Sequence, residues 1–200
     1  MSLPTITLLS FGFPHQDFLE QIAKAVQLEF GYAVNLREGR IDLGEYYDPA
    51  RNQYNGNNLL NLVDSLHVTD SFKTLGIFNV DLFIPILTFI FGQAFLNGNS
   101  GIASFYRLNN ERYGMPENDL LFIERAKKEV IHEIGHTFGL IHCQNPVCVM
   151  RSSTYLEDVD QKNCTSATIA GKSLLDNSWN AKTEINKILN INNYFSPNFN

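Results

Sequence analysis

Three of the chain's five histidines fall in one short run, His132-Glu133-Ile134-Gly135-His136-Thr137-Phe138-Gly139-Leu140-Ile141-His142. His132 and His136 are four apart. On a helix turning about 100° per residue their imidazoles leave one face, one turn apart, and two ring nitrogens can share one metal ion. Gly139 tolerates the positive φ that lets a helix stop and the chain swing back, which brings His142 to the same ion. Three imidazoles leave a tetrahedral zinc one open position, the arrangement a catalytic site keeps for water, whereas a structural site closes with four protein ligands. Glu133 lies about 100° round the helix from His132, close enough to take a proton from that water without binding the metal. Residues of these types at these spacings describe metal-assisted hydrolysis. H-E-x-x-H alone recurs in roughly one shuffled sequence of this composition in 150; Gly139 and His142 at their spacings lower that to on the order of one in 100,000.

A helix must hold the first two histidines, and the sequence supplies one. Pro116 to Asp119 has the proline and acidic residues of a helix start. From there the apolar positions Leu120, Ile123, Ala126, Val130, Ile134 and Phe138 gather on one arc opposite the histidines, so the helix can pack its back on a sheet while His132 and His136 face a cleft. Arg125 and Glu129 lie on the histidine side and read as a solvated face, with Glu129 also placed to orient a ligand imidazole. Past His142, Met150 stands where a turn can carry its thioether beneath the metal site.

The rest of the chain begins as strand, helix, strand: Thr5 to Phe11, a helix capped by Asp17 and running Phe18 to Phe30, and Tyr32 to Leu36. Such a start opens an α/β sheet with a right-handed connection. Arg37 to Asn58 is polar and turn-rich and reads as loop, with Asp48, Arg51 and Tyr54 solvated rather than facing a ligand. A short helix is expected over Leu59 to Leu66 and strands over Thr74 to Asn79 and Ile102 to Leu108, the last with an accessible edge able to pair with an extended peptide. Phe83 to Phe91 reads as core around a further strand, and Ser178 to Leu189 as a final helix.

Two hundred residues at 44% hydrophobic suit one domain, 1–200. A formal charge of −6 with no basic block excludes nucleic acid and an anionic membrane as partners. Residues 3–13 lack the preceding positive charge of a leader, and the longest apolar run, Ile84 to Phe91, contains Pro85 and is too short to span a bilayer. Three cysteines cannot all pair, which fits a reducing, cytoplasmic setting.

H-E-x-x-H-x-x-G-x-x-H followed by a methionine turn resembles the metzincin zinc peptidases. Within them the chain resembles the archaemetzincins, through Cys143 directly after the third histidine, the spacing Cys143-x4-Cys148-x-Met150, and Val159-Asp160-Gln161-Lys162 ahead of Cys164. Upstream, Asp48 to Tyr54, Val80-Asp81-Leu82 and Phe91-Gly-Gln-Ala94 are similar to that family too. The resemblance implies an α/β (α+β) zinc-peptidase domain: a twisted mixed sheet packed on helices that include the metal helix, in an upper part of about 1–139, and a lower part of about 140–200. It implies His132, His136 and His142 as ligands of one catalytic zinc, Glu133 as general base and Met150 as the Met-turn methionine, acting on peptides, short ones before folded proteins. The chain is expected to be a monomer. A second, structural zinc in that family is held by four cysteines. Here Cys143, Cys148 and Cys164 have no fourth, Ala167 standing at its place, so that ion is expected to be absent. Ser152 stands where some metzincins place a tyrosine, which leaves Arg151 and Tyr155 as candidates to stabilise the oxyanion. A zinc protein that binds a peptide or partner without cutting it, and a hydrolase of another amide, are the competing readings.

Overall fold

A computed structural model describes residues 4–13, 17–66 and 68–163, all within a compact unit that spans Met1–Ser166. Cys164 and the expected helix over Ser178 to Leu189 lie outside the described residues.

The chain opens as its pattern predicts, with β1 (Thr5–Phe11), α1 (Asp17–Phe30) and β2 (Ala33–Gly39). It continues with β3 (Tyr47–Asp48), β4 (Gln53–Asn55), α2 (Gly56–Ser65), β5 (Ser71–Phe78), β6 (Leu82–Ile84), β7 (Leu87–Ile90), β8 (Gly92–Ala94), β9 (Ser100–Ser104), α3 (Asp119–Thr137) and α4 (Leu156–Gln161). One sheet has the order β2-β1-β5-β9-β8, parallel except for β8, which runs antiparallel to β9. The central strands β1 and β5 are buried along nearly their whole length, as parallel strands covered on both faces must be. On one face α2 sets Leu59, Leu60 and Val63 against Leu9, Phe11, Phe78 and Ile102. Gly76 is required there, because a Cβ would come 2.6 Å from the Val63 side chain. Leu75 and Ile77 alternate to the other face, where α1 and α3 pack side by side. Their seam is closed by ring contacts, Phe18 on Phe122 at 5.7 Å and Phe30 on Phe138 at 5.1 Å between centroids.

Four local expectations change. Within Arg37 to Asn58 the chain forms β3 and β4, part of a second sheet of order β3-β4-β6-β7. Its polar residues are struts: Arg51 donates to the carbonyls of Leu87 (3.0 Å) and Thr88 (3.3 Å), and Gln53 to that of Thr88 (2.9 Å). Phe83 to Phe91 is a hairpin and not a single buried strand, because Pro85 cannot donate to a ladder and the chain turns at Pro85-Ile86. Ile86, at its tip, is 85% exposed. The strand expected over Ile102 to Leu108 is β9, an interior strand ending at Ser104, and the free edge belongs to β8, which covers it. Leu120 sits in the first turn of α3, beyond the sheet, and is exposed, while Ala126, Val130 and Ile134 are buried as their arc requires. Among the described residues no helix is long and apolar enough to cross a membrane.

Candidate active site

The site is built on the last two turns of α3. The helix starts on Asn118, whose side-chain oxygen accepts from the Leu121 N–H at 3.0 Å. It ends at Gly139, at φ 80°, with the Gly139 N–H bonded to the His136 carbonyl (2.9 Å) and the Leu140 N–H to the Gly135 carbonyl (3.0 Å). That pair of bonds is a Schellman stop, and it needs a residue free to take positive φ. The reversal carries His142 back over the helix, as the spacing predicts.

One side-chain ligand atom each from His132, His136 and His142 lies within 4.8 Å of the others. The two helical rings are oriented from behind. His132 Nδ1 is 2.8 Å from the Val149 carbonyl and His136 Nδ1 is 2.7 Å from the Leu140 carbonyl. A carbonyl only accepts, so each neutral ring keeps its proton on Nδ1 and presents a bare Nε2. Those two Nε2 atoms face each other at 3.1 Å. Two lone pairs at that separation repel unless a cation sits against both, and a tetrahedral ion bonded at 2.0–2.1 Å would set such nitrogens about 3.3 Å apart. The donor set therefore fits zinc. Burial first, then the Lys162 charge, pulls the ionisation of His132 well below its ordinary value, and burial does the same more mildly to His136 and His142. All three are held neutral, the form that binds a metal.

Glu133 is buried, and among the described residues its Oε2 has no hydrogen-bond partner. Burial, then the neighbouring Glu129 carboxylate, pushes its ionisation well above the usual carboxylate range, with the Lys162 ammonium acting in the opposite sense. An orphaned carboxylate oxygen beside three neutral imidazoles is the disposition of a base waiting for a cation to settle its charge.

Below the helix, Cys148-Val149-Met150 forms the turn. Met150 is fully buried, and its Sδ lies 2.5 Å from where a Gly135 Cβ would stand, so the thioether lies against the helix between the two histidines. The turn is closed by the Cys143 N–H on the Met150 carbonyl at 2.9 Å. Cys148 is buried and Cys143 half-buried. The histidines open onto a cleft of about 600 Å³. One wall is β7 and β8; the other includes Ile141 and Ser152–Tyr155. Of the two oxyanion candidates, Tyr155 lines the cleft and Arg151 does not. The Ser104 N–H bonds to the Phe91 carbonyl (2.7 Å) and the Phe95 N–H to the Ser100 carbonyl (3.0 Å). In an antiparallel ladder the groups alternate, so the backbone N–H and C=O of Gly92 and Ala94 point away from the sheet.

Arg125 and Glu129 are not on a solvated face. Arg125 is buried and bidentate to Asp160 at 2.7 and 2.8 Å, and Glu129 pairs with Lys162 at 3.3 Å, both side chains buried. Lys128 adds a bond to the Val159 carbonyl at 3.1 Å. These contacts fasten α4 to α3, and Asp158 of α4 accepts from the N–H groups of Thr154 (2.8 Å) and Tyr155 (2.9 Å), which holds the lower wall. Neither the task of Lys162 nor that of Lys73 is legible in the sequence, because a lysine that pairs with groups distant in the chain carries no periodic signal. The Lys73 ammonium donates to the carbonyls of Gly98 (2.7 Å) and Thr137 (2.9 Å), tying the β8–β9 connection to the end of α3. The Asn97 N–H, bonded to the His136 carbonyl at 2.9 Å, makes the same join.

The profile of peptidase family M54 matches residues 20–170. The archaemetzincin of Pyrococcus horikoshii is 39% identical over 151 residues, 74% of this chain and 80% of the relative. That of Methanocaldococcus jannaschii is 39% identical over 153 residues, 75% and 83%. Among solved structures, archaemetzincin from Methanopyrus kandleri superposes with a TM-score of 0.76 at 28% identity, over 88% of this chain and 95% of that one. A zinc-dependent peptidase from Methanocorpusculum labreanum gives 0.72 at 28%, over 82% and 97%. With the three histidines, the glutamate and the methionine turn standing on that shared fold, the chain belongs to peptidase family M54, the archaemetzincins.

Proposed function

We propose that the protein is a zinc-dependent metallopeptidase in which His132, His136 and His142 hold one catalytic zinc and Glu133 moves the proton. The observation that carries this reading is the meeting of three neutral imidazoles with a buried carboxylate oxygen that has no partner among the described residues. When bound, zinc would lower the pKa of water to about 7 and polarise a carbonyl oxygen. Glu133 accepts the proton of the attacking water and returns it to the leaving amine, a task suited to a carboxylate whose ionisation is already raised. Val149 and Leu140, through their carbonyls, keep the histidine tautomers that leave Nε2 free. Met150 fixes the height of the helix over the turn. The outward N–H and C=O groups of Gly92 and Ala94 pair with the main chain of an extended peptide, which favours short or unfolded substrates. The odd cysteine count suits a reducing, cytoplasmic setting.

The test is metal content together with turnover of a mixed peptide library by the wild type and by Glu133→Ala. Zinc near one equivalent, with turnover lost in the variant, is expected. A zinc-loaded wild type that cuts nothing sinks the reading in favour of a binding protein. Two equivalents of zinc would overturn the single-ion assignment and give the cysteines a metal.

A further inference from the structure

Resting on the peptidase reading, we infer that Leu96 and Ile141 select the substrate: they hold a large aliphatic or aromatic side chain beside the bond that is cut, in a cleft that rejects acidic peptides. Leu96 is 58% exposed and Ile141 72%, and both line the cleft. They come from different segments yet are anchored to the same residue. Leu96 precedes Asn97, whose N–H donates to the His136 carbonyl at 2.9 Å. Ile141 follows Leu140, whose carbonyl is 2.7 Å from His136 Nδ1, and precedes His142. Single exposed apolar side chains are ordinary. Two that flank one ligand, in a concavity they share with Leu87, Phe89 and Tyr155, form an apolar surface next to the reacting groups.

Charge points the same way. Among the described lining residues there is no lysine, arginine or aspartate. The carboxylates are Glu133 and Glu129, and Glu129 is already matched by Lys162. An acidic side chain held between Leu96 and Ile141 loses water and meets no cationic side chain there, a costly exchange. The net charge of −6 opposes its approach as well. The substrate class this implies is a neutral or basic peptide carrying a bulky apolar residue at the cut.

The experiment uses zinc-loaded Glu133→Gln, which binds without cutting, and labelled peptides identical except for Leu, Phe, Ser or Asp at one position. Leu and Phe peptides are expected to bind at least about tenfold tighter than the Ser peptide, with Asp weakest. Adding Leu96→Ser or Ile141→Ser, each at an exposed position that spares the fold, reduces the advantage of the Leu and Phe peptides over the Ser peptide about tenfold. Leu96→Lys raises the affinity of the Asp peptide. Equal affinity for all four peptides, tightest binding of Asp, or a preference untouched by both serine variants overturns the assignment. Turnover of the same peptides by the wild type separates the two readings. Preferential binding with no cutting sinks the peptidase and leaves this site standing, while cutting with no side-chain preference does the reverse.

Discussion

Gly92 lies against Glu133 with no room for a side chain: a Cβ on Gly92 would come 2.6 Å from Glu133 Oε1, 2.7 Å from its Cγ and 2.7 Å from the Ile102 carbonyl. The first residue of the free edge strand therefore sits directly over the glutamate. Gly92→Ala forces either the carboxylate or the β9 backbone to shift, and overpacking of this kind costs about 1–3 kcal/mol. The expected result is a lower melting temperature and a reduced kcat with zinc content retained. A variant with wild-type kcat and stability would mean the contact is soft.

Glu133→Gln keeps the shape of the side chain and removes the proposed base. Turnover should fall about 10²–10⁴-fold, the usual range for a lost general base, with zinc still bound. Stability of the metal-free protein should move the other way. The ionisation of Glu133 is raised by folding, so its contribution to stability is present below the ordinary value of 4.5 and is lost as pH rises through the raised value. At neutral pH the metal-free variant should therefore unfold at a higher temperature than the metal-free wild type. A lower one would show that the carboxylate has a partner in solution.

In the Glu133→Gln background the histidines can be read alone. Their ionisation is lowered in the fold, chiefly by burial, so their contribution is complete above the ordinary value of 6.5 and is lost as pH falls below it, where the unfolded chain binds more protons. Thermal unfolding of the chelated variant should shift to lower temperature between pH 7 and pH 5, and zinc affinity should fall over the same interval. A midpoint that does not change with pH would contradict the neutral triad.

Lys162 and Glu129 form a buried pair at 3.3 Å. Lys162→Met leaves a buried carboxylate uncompensated, at a cost of about 3–5 kcal/mol in urea unfolding, whereas the double change Glu129→Met and Lys162→Met should recover most of that loss. If the single and double variants are equally destabilised, the pairing is not what holds α4 in place.

Lys73→Met removes an ammonium that bonds the Gly98 and Thr137 carbonyls and lies 4.6 Å from the centre of the Phe72 ring. Bonds to a charged donor are worth about 1.5–3 kcal/mol each, so a loss near the lower end of that range is expected after the carbonyls find water. Because these bonds tie the rim of the cleft to the metal helix, KM for peptides should rise more than kcat falls. An unchanged KM would limit Lys73 to stability.

The sequence by itself picked out the three histidines that the fold brings together, and the helix that carries two of them. His132, Glu133, His136, Gly139 and His142 follow from helical spacing and one positive φ, both local properties, and the arc through Ala126, Val130 and Ile134 marks the side of the helix that is apolar. The start of the fold was equally plain, because β1, α1 and β2 each satisfy their own periodicity. Tertiary structure alone decided what surrounds the site. Three residues show this: Gly92, whose missing side chain matters because β8 passes over Glu133; Lys162, which pairs with a glutamate 33 residues away in sequence; and Lys73, which spans 64 residues to reach Thr137. Such contacts leave no period in the chain. The misassigned edge has the same origin. A strand's apolar pattern reports that it is buried, but only the order of strands in the sheet decides which one keeps its backbone free for a substrate.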